Sequence, residues 1–110
     1  MIRSTLSLGF VLGVGLALAS ATGCARRSPP HATAVDAERG NVELAELAQG
    51  RKLLLGNCAG CHKVPLPGDQ TPAKWPAVLD DMAKRANLDA NEEHLIVQYL
   101  ITMATAEPPR

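Results

Sequence analysis

The chain has 110 residues, 11 basic and 11 acidic side chains, and three cysteines. This charge balance argues against a nucleic-acid-binding protein, which needs a basic face, and the length suits one small domain. With one Trp, one Tyr and one Phe, so short a chain has little apolar material for a core and benefits from a bound group that supplies more.

The N-terminus has the pattern of an export signal. Arg3 supplies a positive charge, and residues 6–19 form an apolar run that is shorter than the roughly 20 residues needed to span a bilayer. Residues 1–23 are therefore predicted to be a signal peptide that is removed on export. This prediction assumes cleavage directly before Cys24, as in a lipoprotein. The alternative is ordinary cleavage after Ala21, which would leave Cys24 as a free thiol.

The segment Ala21-Thr22-Gly23-Cys24 resembles a bacterial lipobox, with alanine in the first position where leucine is usual. The resemblance implies that Cys24 is lipidated, and several acyl chains on one residue anchor a protein firmly. Ala25, where aspartate would favour the inner membrane, implies sorting to the outer membrane. Residues 24–40 contain two consecutive prolines and no apolar period, so we expect a flexible tether with a reach on the order of 20 Å.

A first helix is predicted to begin near Asn41, a good N-cap residue, and to lead into Cys58. Gly50 lies within this helix, where glycine costs about 1 kcal/mol relative to alanine. A glycine in such a position indicates that another backbone comes close.

The segment Cys58-Ala59-Gly60-Cys61-His62 is the attachment pattern of a c-type haem. Cys58 and Cys61 would add across the vinyl groups of the porphyrin, and His62 would bind the iron through one ring nitrogen. The pattern occurs once, which predicts one covalent haem c. A zinc site or a redox-active dithiol is the alternative.

Two further helices are predicted after a proline-containing loop. The second begins at Thr71-Pro72 and the third at Asp89, with Glu92 completing a relative of the capping box. Each helix has one apolar stripe, formed by Trp75, Val78, Leu79, Met82 and Ala86 and by Leu95, Ile96, Tyr99, Leu100 and Met103. No segment alternates like a half-buried strand, so the predicted fold class is all-α, with residues 106–110 as a tail.

Several of these features together resemble the small class I (mono-haem) cytochromes c. Gly50 lies eight residues before Cys58, Leu54 lies four before it, and Tyr99-Leu100 matches the aromatic-Leu pair of the family's C-terminal helix. The resemblance implies a three-helix domain over residues 41–105, wrapped around the haem, whose last helix crosses the first at the glycine.

The resemblance also implies a second iron ligand. Met82 lies seventeen residues before Tyr99, the distance at which the distal methionine commonly stands in this family. It also lies seven residues after Trp75, a pattern similar to that in small haem subunits of sulfite dehydrogenases, where this methionine is the distal ligand. A His/Met pair raises the reduction potential. Met103, His94 or an open iron position are the alternatives. Trp75 is expected to donate its indole N–H to a haem propionate or to pack in the core.

These features predict an electron carrier rather than an enzyme, either acting alone or as the haem subunit of an oxidoreductase complex. It would be lipid-anchored on the periplasmic side of a bacterial membrane and pass electrons from a dehydrogenase to a downstream acceptor. A molybdenum sulfite dehydrogenase and a terminal oxidase or cytochrome are the expected partners. A five-coordinate haem protein for gas binding or peroxidase-like chemistry is the alternative function.

Overall fold

A computed structural model describes residues 27–60 and 63–106. These residues contain no β-strand and form four α-helices: α1 (Ala34–Gly40), α2 (Leu44–Cys58), α3 (Trp75–Ala86) and α4 (Ala90–Ala104). Two short 3₁₀ turns, Pro67–Asp69 and Pro72–Lys74, precede α3. The predicted all-α class is confirmed for this part of the chain. None of its helices has the length and apolar character required to cross a bilayer.

Helices α2 and α4 form the most extensive helix pair of the fold. They cross at Gly50, where an added Cβ would overlap the carbonyl oxygen of Leu95 and lie 2.9 Å from the Cβ of Tyr99. Only a residue without a side chain allows the two backbones to approach so closely. The close approach predicted from Gly50, with Tyr99 at the crossing, is confirmed.

The core lies between α2, α3 and α4. The largest side chains of the core are fully buried, and the burial of each contributes about 1.5–3 kcal/mol. They are Leu47, Leu54, Trp75, Leu79, Ile96, Tyr99 and Leu100. All of these except Leu47 and Leu54 belong to the two apolar stripes predicted for the second and third helices. Helix α4 begins at the predicted capping box, in which the backbone N–H of Glu92 donates to Asp89 (2.8 Å) and the backbone N–H of Asp89 donates to Glu92 (3.0 Å).

The structure differs from the prediction on the N-terminal side of α2. Residues 34–40, expected to belong to a flexible tether, form α1, which is why the described residues contain four helices rather than three. A capping box starts α1: the Thr33 backbone N–H donates to Asp36 (2.7 Å), and the Asp36 backbone N–H donates to the Thr33 hydroxyl (3.3 Å). Asn41, the predicted N-cap of the next helix, instead ends α1 in the left-handed conformation (φ 50°).

Residues 27–30, named here the N-terminal strap, also differ from a tether because they pack on the domain. Pro29 is fully buried, and its carbonyl accepts a hydrogen bond from Nε of Arg51 (2.9 Å). The carbonyl of Pro30 accepts a hydrogen bond from the Tyr99 hydroxyl (2.6 Å). Since proline has no backbone N–H, these carbonyls are the only polar backbone groups that burial of the pair must satisfy.

Candidate haem site

Helix α2 ends at Cys58, the first residue of the haem-attachment pattern. Cys58 is 7% exposed and belongs to the same core cluster as Leu54 and Leu79. The chain reaches the surface at Gly60, which is exposed and where an added Cβ would meet no atom within 4 Å. The other predicted attachment residue, Cys61, the proximal ligand His62 and the lipidation site Cys24 lie outside the described residues.

Met82, the predicted distal ligand, lies at the edge of the buried face of α3. The fully buried positions of this helix are Trp75, Leu79 and Ala83, spaced four residues apart. Met82 belongs to the neighbouring row and is half-buried. Met82 is therefore not enclosed by the core as the neighbouring buried residues of α3 are.

Met103, the alternative methionine, is in a different environment. It lies in the last turn of α4, is 4% exposed and packs in the main core cluster. A sulfur enclosed in this way contributes packing, and turning it toward an iron outside the core would leave a cavity. His94, the histidine named as an alternative ligand, is exposed, and so is His31, which lies between the N-terminal strap and α1.

Trp75 is a core residue whose hydrogen bond is already made within the protein. It is 1% exposed, and its indole N–H donates to the carbonyl of Pro67 at 3.0 Å. This bond links the start of α3 to the loop that follows the haem-attachment pattern. Of the two predicted roles, the structure therefore has the core role, because the single indole N–H is taken by Pro67 rather than left for a propionate.

A cavity of about 560 Å³ lies beside the attachment pattern, between the N-terminal strap and α2. It is lined by Arg27, Ser28, Pro29, Leu55, Ala59, Lys63 and Val64. Leu55 and Ala59 each come directly after a core-facing residue of α2. Successive side chains of a helix differ in direction by about 100°, so the cavity lies to one side of Cys58. The strap residues of this cavity were not predicted as part of a site, because their prolines and the absence of an apolar period favoured a flexible tether.

The residue types present are those that a c-type haem requires. Two thiols can form the covalent bonds to the porphyrin, and an imidazole and a thioether are donors that haem iron takes in proteins. Within residues 27–60 and 63–106, no three His, Cys, Asp or Glu side chains are grouped so that they could hold a metal ion.

Comparisons of this chain with protein-family models, curated proteins and solved structures gave no match.

Proposed function

We propose that the protein is a c-type cytochrome that carries single electrons, with one haem c bound covalently to Cys58 and Cys61. His62 and Met82 would be the two axial ligands of the iron. The observation that carries the proposal is the contrast between the two methionines. Met82 has the expected spacing and is half-buried, whereas Met103 is packed in the core.

The haem, when bound, supplies one-electron chemistry by cycling between Fe(II) and Fe(III). The chain's part is to hold and orient it. Cys58 lies at the end of a helix whose middle is held against α4 by the Gly50 crossing, so one attachment point sits on a rigid element. The hydrogen bond from Trp75 to Pro67 holds the loop that follows the attachment pattern against α3. Helix α3 is also the helix that carries Met82.

With both His62 and Met82 bound to the iron, no position on the metal would be left for a substrate, which favours a carrier over an enzyme. Contacts between such carriers and their partners are small and transient. The proposed position is the periplasmic side of a bacterial membrane, outer rather than inner, with a lipid on Cys24. The proposed partners are a dehydrogenase, for which a molybdenum sulfite dehydrogenase is the candidate, and a terminal oxidase or cytochrome.

An optical spectrum of the mature protein, recorded oxidised, reduced and reduced with carbon monoxide, tests the proposal. We expect sharp low-spin bands in the reduced form, the weak methionine–iron band in the oxidised form, and no change with carbon monoxide. Rapid carbon monoxide binding and a high-spin ferric form would contradict Met82 ligation and favour the five-coordinate alternative. A colourless protein made with haem-maturation machinery would favour the dithiol or zinc alternative.

Two methionine variants separate ligation from packing. Met82→Ala is expected to abolish the methionine–iron band and to admit carbon monoxide. Met103→Ala, the matched control, is expected to keep the band and to lose about 2–5 kcal/mol of stability, because it empties a core position. If Met103→Ala abolished the band and Met82→Ala kept it, Met103 would be the iron ligand and Met82 a packing residue.

A further inference from the structure

We propose that the surface around the N-terminal strap binds the anionic headgroups of the membrane that carries the Cys24 anchor. This surface, named here the basic face, is defined by Arg27, Arg51, Lys52 and Lys63. Binding there would hold the haem-attachment pattern toward the membrane instead of letting the domain swing on a tether. The inference rests on the proposed function for the lipid anchor, while its charge argument rests on the fold alone.

The four cations converge on one place in the structure. Arg27 and Lys63, far apart in the sequence, line the same cavity. Arg51 donates to the strap carbonyl of Pro29 at 2.9 Å. Lys52 is exposed and lies three residues before Leu55, a lining residue of the cavity, so helical spacing puts it on the adjoining surface of α2.

The chain segments that form this surface are poor in carboxylates, although the chain has as many acidic as basic residues. The sequence has no Asp or Glu between Glu46 and Asp69, and none from Arg27 to Val35. Among the described residues, no carboxylate lies within 4.0 Å of the cationic groups of Arg27, Arg51 or Lys52. Three cations on α1 and α3 are instead neutralised on their own helices, in the pairs Arg39–Asp36 (2.7 Å), Lys84–Asp80 (2.9 Å) and Arg85–Asp81 (3.3 Å).

The anchor and the basic face are close along the chain. Cys24 precedes Arg27 by three residues, and three residues span at most about 11 Å even when fully extended. The Debye length at physiological ionic strength is about 8 Å. A lipid on Cys24 would therefore keep the headgroups about one screening length from Arg27, and the strap connects that residue to Arg51 and the cavity.

Orientation is the functional consequence. Cys58 lies at the end of the helix whose exposed side contributes to the basic face. Headgroups bound there would place the attachment pattern near the bilayer, and electrons would pass most readily to a partner that is itself in the membrane. An acidic protein is the competing occupant of the same surface, and the test below separates the two.

Labelling of amines in the lipidated protein tests the orientation. The chain has four lysines, all exposed: Lys52 and Lys63 on the basic face, and Lys74 and Lys84 on the second 3₁₀ turn and α3, outside the lining of the cavity. On vesicles containing phosphatidylglycerol, an impermeant amine reagent read by mass spectrometry should label Lys52 and Lys63 several-fold more slowly than in detergent. Lys74 and Lys84 serve as internal controls and should be unchanged.

The lipid charge of the vesicles and the salt concentration test whether electrostatic attraction causes the protection of Lys52 and Lys63. The protection should disappear on vesicles of phosphatidylcholine alone and weaken at high salt, because both remove the electrostatic attraction. Protection that is equal at all four lysines, or absent on the anionic vesicles, would overturn the proposal. The second result would favour an acidic protein partner.

Charge-matched variants give an independent measurement. In the Cys24→Ser chain, which has no lipidation site, Lys52→Gln with Lys63→Gln should weaken binding to anionic vesicles roughly 30-fold, about 5-fold for each cation. Lys74→Gln with Lys84→Gln changes the net charge equally and should have little effect. Equal losses from the two pairs would refute a specific face.

Failure of this inference and failure of the proposed function are distinguishable in the same samples. The visible spectrum reports the haem, and mass spectrometry of the N-terminal peptide reports the lipid on Cys24. A coloured, lipidated protein with uniform labelling would refute only the basic face. A colourless protein with selective protection of Lys52 and Lys63 would refute only the carrier.

Discussion

Replacing Gly50 with alanine tests the helix crossing on which the fold depends. The new Cβ would overlap the carbonyl oxygen of Leu95 and lie 2.9 Å from both the carbonyl carbon of that residue and the Cβ of Tyr99. These are backbone or near-backbone atoms, so no side-chain rotation relieves the overlap. Helices α2 and α4 would have to move apart, which would loosen the core between them.

The expected magnitude comes from two opposing effects. Overpacking of a core costs about 1–3 kcal/mol, and a backbone clash belongs at the upper end of that range. Alanine in place of glycine inside a helix returns about 1 kcal/mol. The net loss should be about 2 kcal/mol, which lowers the melting temperature of a domain of this size by roughly 8–16 °C.

Gly56→Ala is the matched control in the same helix. A Cβ at Gly56 would meet no atom within 4 Å, so this variant keeps the helix-propensity gain without the clash and should be about 1 kcal/mol more stable than the parent. Thermal and urea unfolding followed by circular dichroism at the helix bands would measure both variants. If Gly50→Ala were as stable as Gly56→Ala, the close crossing of α2 and α4 would be refuted.

Two further predictions concern the N-terminal side of the domain. Tyr99→Phe removes the donor to the Pro30 carbonyl and should cost about 1 kcal/mol in urea unfolding, with faster proteolysis at the strap; unchanged proteolysis would mean that this bond does not hold the strap. Hydrogen bonds from the Arg39 guanidinium and then from Thr33 lower the pKa of Asp36 below its ordinary value of 3.8. Because the folded pKa is the lower one, the stabilisation is present above pH 3.8 and is lost as the pH falls through the folded pKa. Asp36→Asn should flatten that part of the stability–pH profile, and an unaltered profile would contradict the role of Asp36.

The sequence was sufficient for the features that depend on local chemistry. The capping box at Asp89 marked the start of α4, because a cap is a contact between residues three apart. The stripes containing Leu79 and Leu100 were identified because helical periodicity alone sets which positions share a face. Gly50 could be interpreted as a crossing point since glycine inside a helix is costly unless the space is needed.

Local patterns failed where the decisive contact is distant in the sequence. The short helix α1 has a capping box, but the prolines before it and the weak apolar pattern favoured a tether, and Asn41 is as suitable for ending one helix as for beginning another. Similarly, the indole of Trp75 has one donor and several conceivable acceptors. Only the folded chain determines that Pro67 is the acceptor.

The haem-attachment pattern, helices α2 to α4 and the glycine position within α2 were thus recognisable from short-range sequence order, because motifs, caps and stripes relate residues that are close in the chain. Tertiary structure decided the rest. It buried Pro29 against α2, joined Arg27 and Lys63 at one cavity, and enclosed Met103 while leaving Met82 at the edge of α3. Such outcomes depend on how whole helices pack, because burial is shared among residues that are far apart in the chain and that no local pattern relates.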